Sequence, residues 1–214
     1  MSLTVGTGPL APRAAGAFNL EVPRREGLLY LEPSPRRIRA EFAGQTVVDA
    51  RHGSLLHEHG RLAVYYFPRD EVRMDLLEPS DRRTSSSAMG EARWWSLRVG
   101  DRVAADAAWA YPEPPAGAEA LAGLIGFEWN AMDRWYEEDE EAIVHARDPY
   151  HRVDVLETSR HVKVSVGGEL LAETRRARVL FETALPPRWY IPAEDVRDSL
   201  LVSSEKRTGC AYKR

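Results

Sequence analysis

Apolar and polar residues alternate in short stretches along most of this chain, and the alternation is repeatedly broken by glycine. "IRAEF" and "TVVDA" flank Ala43-Gly44, and "VKVSV" and "LLAET" flank Gly167-Gly168. A period of two interrupted by a glycine-containing pair predicts β-hairpins, whose tight turns need positive φ. "SLLHE" and "LAVYYF" predict a further strand pair joined through His59-Gly60-Arg61, and "ARWWSLRV" and "RVAADAAWAY" another around Gly100-Asp101. "GLLYLE" predicts an edge strand near the end of a proline-rich, irregular extension at residues 1–36. The segments "PRDEVRMDLLEP" and "PAEDVRDSLLV" each predict a short amphipathic helix after a proline stop. From Ala116 to Glu137, Leu121, Leu124, Ile125, Met132 and Trp135 recur near every 3.6 residues and predict one long helix. The acidic run "EEDEE" at 137–141 reads as its solvated end. The fold class expected is mainly β with some α: antiparallel sheets carrying one long and several short helices.

These elements occur twice. The stretch from Arg36 to Thr84 aligns without a gap on Arg160 to Thr208, at a constant spacing of 124 residues. Matched pairs include Gly44/Gly168, Arg51/Arg175, Glu58/Glu182, Tyr66/Tyr190, Arg73/Arg197 and Leu76/Leu200. The expected organisation is an N-terminal extension (1–36), a first complete unit (37–140), a linker (141–158) and a second, partial unit (159–214). The partial unit lacks counterparts of the later strands and helix that would cover its sheet. Open strand edges invite pairing. Self-association as a homodimer, intimate packing of the two copies, or a longer natural protein would each answer this.

Composition narrows the classes. The chain has 214 residues, 43% hydrophobic and 29% charged, with a formal charge of −4, which argues against a dominant nucleic-acid surface. A single cysteine, Cys210, precludes an intrachain disulfide and a multi-thiolate zinc site. No signal sequence and no apolar run long enough for a membrane helix is recognised. A soluble, cytoplasmic protein without membrane or nucleic-acid partners is expected, and no cofactor is implied.

His57 and His59 stand one residue apart on a predicted strand, the spacing of a metal pair. Their counterparts are Phe181 and Thr183, so the imidazoles lie outside the repeated pattern and no metal site is assigned. Glu58, on the opposite face, does recur. A carboxylate on a sheet face in low dielectric serves as a general acid or base. The structural alternative pairs Glu58 and Glu182 with Arg51, Arg175, Arg73 or Arg197. Cys210 beside Lys213 is a second catalytic candidate, because a nearby cation lowers a thiol's pKa. Trp94, Trp95, Trp109, Tyr111 and Trp129 gather in the half unique to the first copy. They line a pocket or form a core. Trp135 and Tyr136 read as an exposed amphipathic edge. Candidate binding residues are Tyr66, Trp95, Trp109 and Arg73, with Glu182 and Tyr190 in the second copy.

"VYYFPRDEVRMDLLEPSDRRT", "WWS…VGDRVAADAAWAYPEP" and a terminal Thr-x-Cys-x-Tyr-Lys together resemble the domain-of-unknown-function family 427, in its tandem bacterial form. The resemblance implies a mainly antiparallel β-tent architecture, related to methionine sulfoxide reductase B without its zinc-binding cysteines. A nucleotidyltransferase-like name is attached to that family, yet no phosphate-binding glycine-rich loop or paired-carboxylate motif supports it here. The family pattern Thr-x-Cys-Pro-x-Lys-Gly is broken in both copies. "TSSSAMG" puts Ser86 and Met89 at the cysteine and lysine positions, whereas "TGCAYKR" keeps Cys210 and Lys213. Two functions follow as expectations. One is a small-molecule pocket lined by Glu58, Tyr66, Trp95 and Trp109. The other is a non-catalytic assembly module.

Overall fold

A computed structural model describes residues 3–19 and 27–213. The first copy builds two antiparallel sheets. The larger contains β1 (Leu29–Pro33), β4 (Ser54–Glu58), β5 (Val64–Pro68), β6 (Leu77–Ser86), β7 (Gly90–Val99), β8 (Arg102–Ala110) and β9 (Leu124–Phe127). Its strand order is β1-β4-β5-β9-β8-β7-β6. The smaller sheet has the order β11-β10-β2-β3, from β2 (Ile38–Phe42), β3 (Gln45–Ala50), β10 (Arg134–Glu137) and β11 (Glu140–Ala142).

Alternation along the strands sorts side chains into two cores. Leu55, Tyr65, Phe67, Leu97, Ile125 and Phe127 face the smaller sheet and pack on Ile38, Phe42, Val48 and Trp135. Leu56, Tyr66, Ala92 and Trp94 point the other way, into a second cluster with Met89, Tyr111 and Leu121.

The hairpins stand where the alternation places them. Ala43 and Gly44 have φ of 49° and 74°, and Gly167 and Gly168 have 59° and 89°, as a primed two-residue turn requires. "GLLYLE" supplies β1, an edge strand.

The long helix over 116–137 does not form. That stretch holds two short 3-10 turns, Glu119–Leu121 and Trp129–Ala131, and the strands β9 and β10. Gly117 and Gly123 sit at φ of 92° and 79°, a backbone state that ends a right-handed helix. The apolar run Leu124–Phe127 is instead a central strand, buried between β5 and β8. The post-proline amphipathic segments likewise form pairs of 3-10 turns, Arg69–Glu71 with Met74–Leu76 and Ala193–Asp195 with Asp198–Leu200. Residues 137–141 are the end of β10, a two-residue turn at 138–139 and the start of β11, with Glu137 buried and Glu138 at φ 54°. Glu137 accepts from Arg36 Nη1 at 2.7 Å and from the Tyr65 hydroxyl at 2.9 Å. Trp135, expected at an exposed edge, is buried and stacks on Trp129 at 4.9 Å.

The second copy reproduces the first five strands of the first. β12 (Val153–Glu157), β15 (Arg178–Glu182) and β16 (Arg188–Tyr190) form one small sheet, and β13 (Val162–Val166) and β14 (Glu169–Thr174) form another. Val153 pairs with Glu182 as Leu29 pairs with Glu58, and Arg178 pairs with Tyr190 as Ser54 pairs with Tyr66. The register shift at Ala40/Glu41 recurs at Val164/Ser165, and the isolated bridge Val48–Val72 recurs as Ala172–Val196. Such agreement in register makes the chain a structural duplication. No helix among the described residues is long and apolar enough to cross a membrane.

Candidate functional site

The second face of the large sheet carries a cavity of about 430 Å³. Leu56 and Glu58 of β4, Tyr66 of β5, Trp94 of β7 and Trp109 of β8 face into it because they share one parity of the pleat. Thr84, Ser85 and Ser86 at the end of β6, Met89 after it, and Tyr111 after β8 close one side. Arg61, Leu62, Val64, Arg82 and Glu128 complete the lining.

Hydrogen bonds and close packing fix the aromatic wall. Trp109 Nε1 donates to the Tyr66 hydroxyl at 2.9 Å, and the rings meet edge-on at 6.0 Å. Trp94 Nε1 donates to Thr84 Oγ1 at 3.0 Å, and the Arg82 guanidinium lies 3.9 Å from the Trp94 ring centre. Gly126 of β9 lets both rings approach the backbone. A Cβ there would stand 2.9 Å from Trp109 Cζ2 and 3.2 Å from Tyr66 Cε1.

Glu58 is the half-buried carboxyl in this wall. Burial raises its pKa, and Arg61 Nε, 3.0 Å away, counters only in part. That arginine is a weak neutraliser, since its side chain is 73% exposed. Burial also pushes up the Tyr66 hydroxyl, reinforced by Tyr111 and Glu58 and opposed by the bond from Trp109. Tyr111 is raised by burial and by Glu58. Three acidic groups thus share one wall, each biased toward its neutral form.

The second copy answers the same position differently. Glu182, the counterpart of Glu58, accepts from Lys213 Nζ at 2.6 Å and lies 3.2 Å from His151 Nε2. Burial works to raise this carboxyl, but the bond and charge of Lys213, joined by His151, hold it below the usual range. Burial lowers the His151 pKa. Tyr212 stacks on His151 at 3.8 Å and accepts the Asp148 N–H, and burial pushes its hydroxyl up to about 12. In the first copy the position of Lys213 is Met89, which lines the cavity. Replacing that cation by a thioether leaves Glu58 without the neutralising partner its twin has.

The other candidates divide. Glu58, Tyr66 and Trp109 line the cavity, but Trp95 does not. It points to the opposite face, against the main core, with Arg69 over its ring at 5.4 Å. Arg73 is an exposed partner of Asp75, and Arg197 bonds the Leu170 carbonyl and lies 3.7 Å from Glu169. The expected pairing of either glutamate with Arg51, Arg73, Arg175 or Arg197 is therefore replaced by Arg61 and Lys213. Tyr190 is exposed and Cys210 half-buried. His57 is buried against the Tyr30 and Tyr150 rings and donates through Nε2 to Glu32 at 2.8 Å. Among the described residues no group of three or more His, Cys, Asp or Glu is placed to hold a metal ion.

Sequence reasoning missed Arg61, Arg82 and Thr84 in the lining and His151 at Glu182. Arg61 sits in the β4–β5 turn three residues after Glu58, a proximity readable from the hairpin itself. The other three arrive from segments with no pattern relating them to the site.

A family model whose description is a domain of unknown function (DUF427) matches residues 30–138 and 154–214. No curated protein matches the chain.

Proposed function

This chain belongs to the domain of unknown function 427 family, in two tandem copies, and from that premise we propose that its first copy binds a small molecule in the Glu58 cavity. The observation carrying this reading is the contrast between the twin carboxyls. Glu182 is neutralised from within by Lys213, whereas Glu58 faces an aromatic-walled cavity with its pKa raised. A ligand with a flat apolar body would lie along Trp94, Trp109 and Tyr66. Its polar group would meet Glu58, which donates when protonated and anchors a cation when ionised. A carboxyl with a raised pKa also suits proton transfer, so Glu58 is the acid–base group if the bound molecule is transformed.

Native mass spectrometry of the freshly purified chain tests the proposal. A retained small molecule is expected in the wild type and lost in Glu58→Gln, with thermal unfolding unchanged. A ligand retained equally by Glu58→Gln, or a variant that loses only stability, would remove Glu58 from any binding role.

A further inference from the structure

The polar groups of the Glu58 cavity are not spread evenly. Glu58 of β4 and Glu128, just after β9, supply its carboxylates. Arg82, Thr84 and Ser86 all belong to β6, the strand at the margin of the sheet, which β5, β9, β8 and β7 separate from β4.

Bonds already made fix what β6 offers. Thr84 Oγ1 accepts the Trp94 Nε1–H at 3.0 Å, and Ser86 Oγ accepts the Ala88 N–H at 3.2 Å. Indole and amide N–H groups only donate, so both hydroxyl protons are left for another acceptor. None among the described residues receives them. Arg82 is in the same state. Its guanidinium lies over the Trp94 ring at 3.9 Å, which engages its face and leaves its N–H edge for hydrogen bonds. Its ion-pair partner Asp106 stands 3.6 Å off, beyond hydrogen-bonding distance, and takes a hydrogen bond from Ser80 instead. The carboxylate side differs. Glu58 already has Arg61 Nε at 3.0 Å, and Glu128 is exposed to water. The unmet demand for an opposite charge therefore lies at β6.

We propose that the ligand of this cavity is a flat ring bearing a carboxylate or a phosphate, whose anion is bound by Arg82 with the hydroxyls of Thr84 and Ser86. Arg82 sets the preference, since its planar N–H fork matches either anion. The ring lies along Trp94 and Trp109, on the way to Glu58. This inference rests on the small-molecule reading of the cavity and deepens it. The Arg82 side chain is 44% exposed, so bare charge attraction contributes little and the hydrogen bonds carry the selectivity.

The test is isothermal titration calorimetry of the full chain at neutral pH with benzoate, phenyl phosphate, benzyl alcohol and benzylamine. One of the two anions should bind about tenfold more tightly than benzyl alcohol, as one charged hydrogen bond provides. Which anion binds better separates a carboxylate ligand from a phosphate one. Arg82→Gln should remove the advantage and leave the benzyl alcohol affinity as it was. Ser86→Ala, which keeps the Trp94–Thr84 bond, should weaken the anions alone by about threefold. Benzyl alcohol or benzylamine binding as tightly as both anions would overturn the anion site while leaving the cavity a binding site. Anion affinity unchanged in both variants would do the same. Failure of all four compounds to bind would overturn this inference, and a molecule retained in native mass spectrometry would then show that the small-molecule reading survives it.

Discussion

Replacing Lys213 by methionine would give the second copy the residue that the first copy carries at Met89, and so tests how each glutamate is held. The bond removed is 2.6 Å long, between side chains 4% and 26% exposed. A hydrogen bond to a charged group contributes about 1.5–3 kcal/mol, and breaking a fully buried pair costs about 3–5 kcal/mol. Lys213 keeps a quarter of its surface in water, and His151 stays beside Glu182 in the variant. The lower range therefore applies, about 2 kcal/mol. Hydrogen exchange of the β15 amides reads it directly, since about 2 kcal/mol of local stability accelerates exchange roughly thirtyfold.

The pH dependence fixes the cause. The Glu182 carboxyl is depressed in the folded chain, so its contribution is complete above its unfolded value and is lost as pH falls through the lowered folded value. The thirtyfold ratio should hold at pH 7 and shrink toward one in acid. In Lys213→Met the carboxyl should titrate higher than in the wild type, since the bond and charge that lower it most are gone. Met89→Lys in the first copy should draw Glu58 downward. A ratio within twofold of one at neutral pH, or one that acid leaves unchanged, would refute the idea that Lys213 neutralises Glu182.

Two further outcomes follow from backbone geometry. Gly126→Ala forces a methyl 2.9 Å from the half-buried Trp109 ring and 3.2 Å from the buried Tyr66 ring, so urea unfolding should show about 2 kcal/mol of destabilisation from overpacking, with the Trp109–Tyr66 bond disturbed. Ala43→Gly relieves a left-handed alanine at φ 49°, the place where the second copy already has Gly167, and should raise stability by about 1 kcal/mol in the same assay.

The hairpins were legible because alternation and left-handed glycines act over few residues. The helix over 116–137 was misread for a definable reason. Two short buried strands separated by a 3-10 turn happened to space Leu124, Ile125, Met132 and Trp135 like one helical face. Gly117 and Gly123 carried the contrary signal. Within the site, parity along β4 and β5 correctly grouped Glu58 with Tyr66. Parity alone did not decide between Trp94 and Trp95, because neighbours on a strand face opposite sides and the sequence does not say which side is the cavity. Lys213 reaches Glu182 from an irregular segment, and no periodicity describes such a contact.

The placement of β9 has a kinetic consequence. The β4–β5 hairpin and the β6–β7–β8 meander are built from neighbours in sequence and close quickly. β5 and β8 meet only through β9, which leaves the ribosome after both. Insertion of β9 closes the longest loop in the large sheet, so it is the step expected to limit the assembly of that sheet. Until then the edge of β5 stands open in the nascent chain, its period of greatest exposure to mispairing. Substitutions in β9 should accordingly slow folding more than they hasten unfolding.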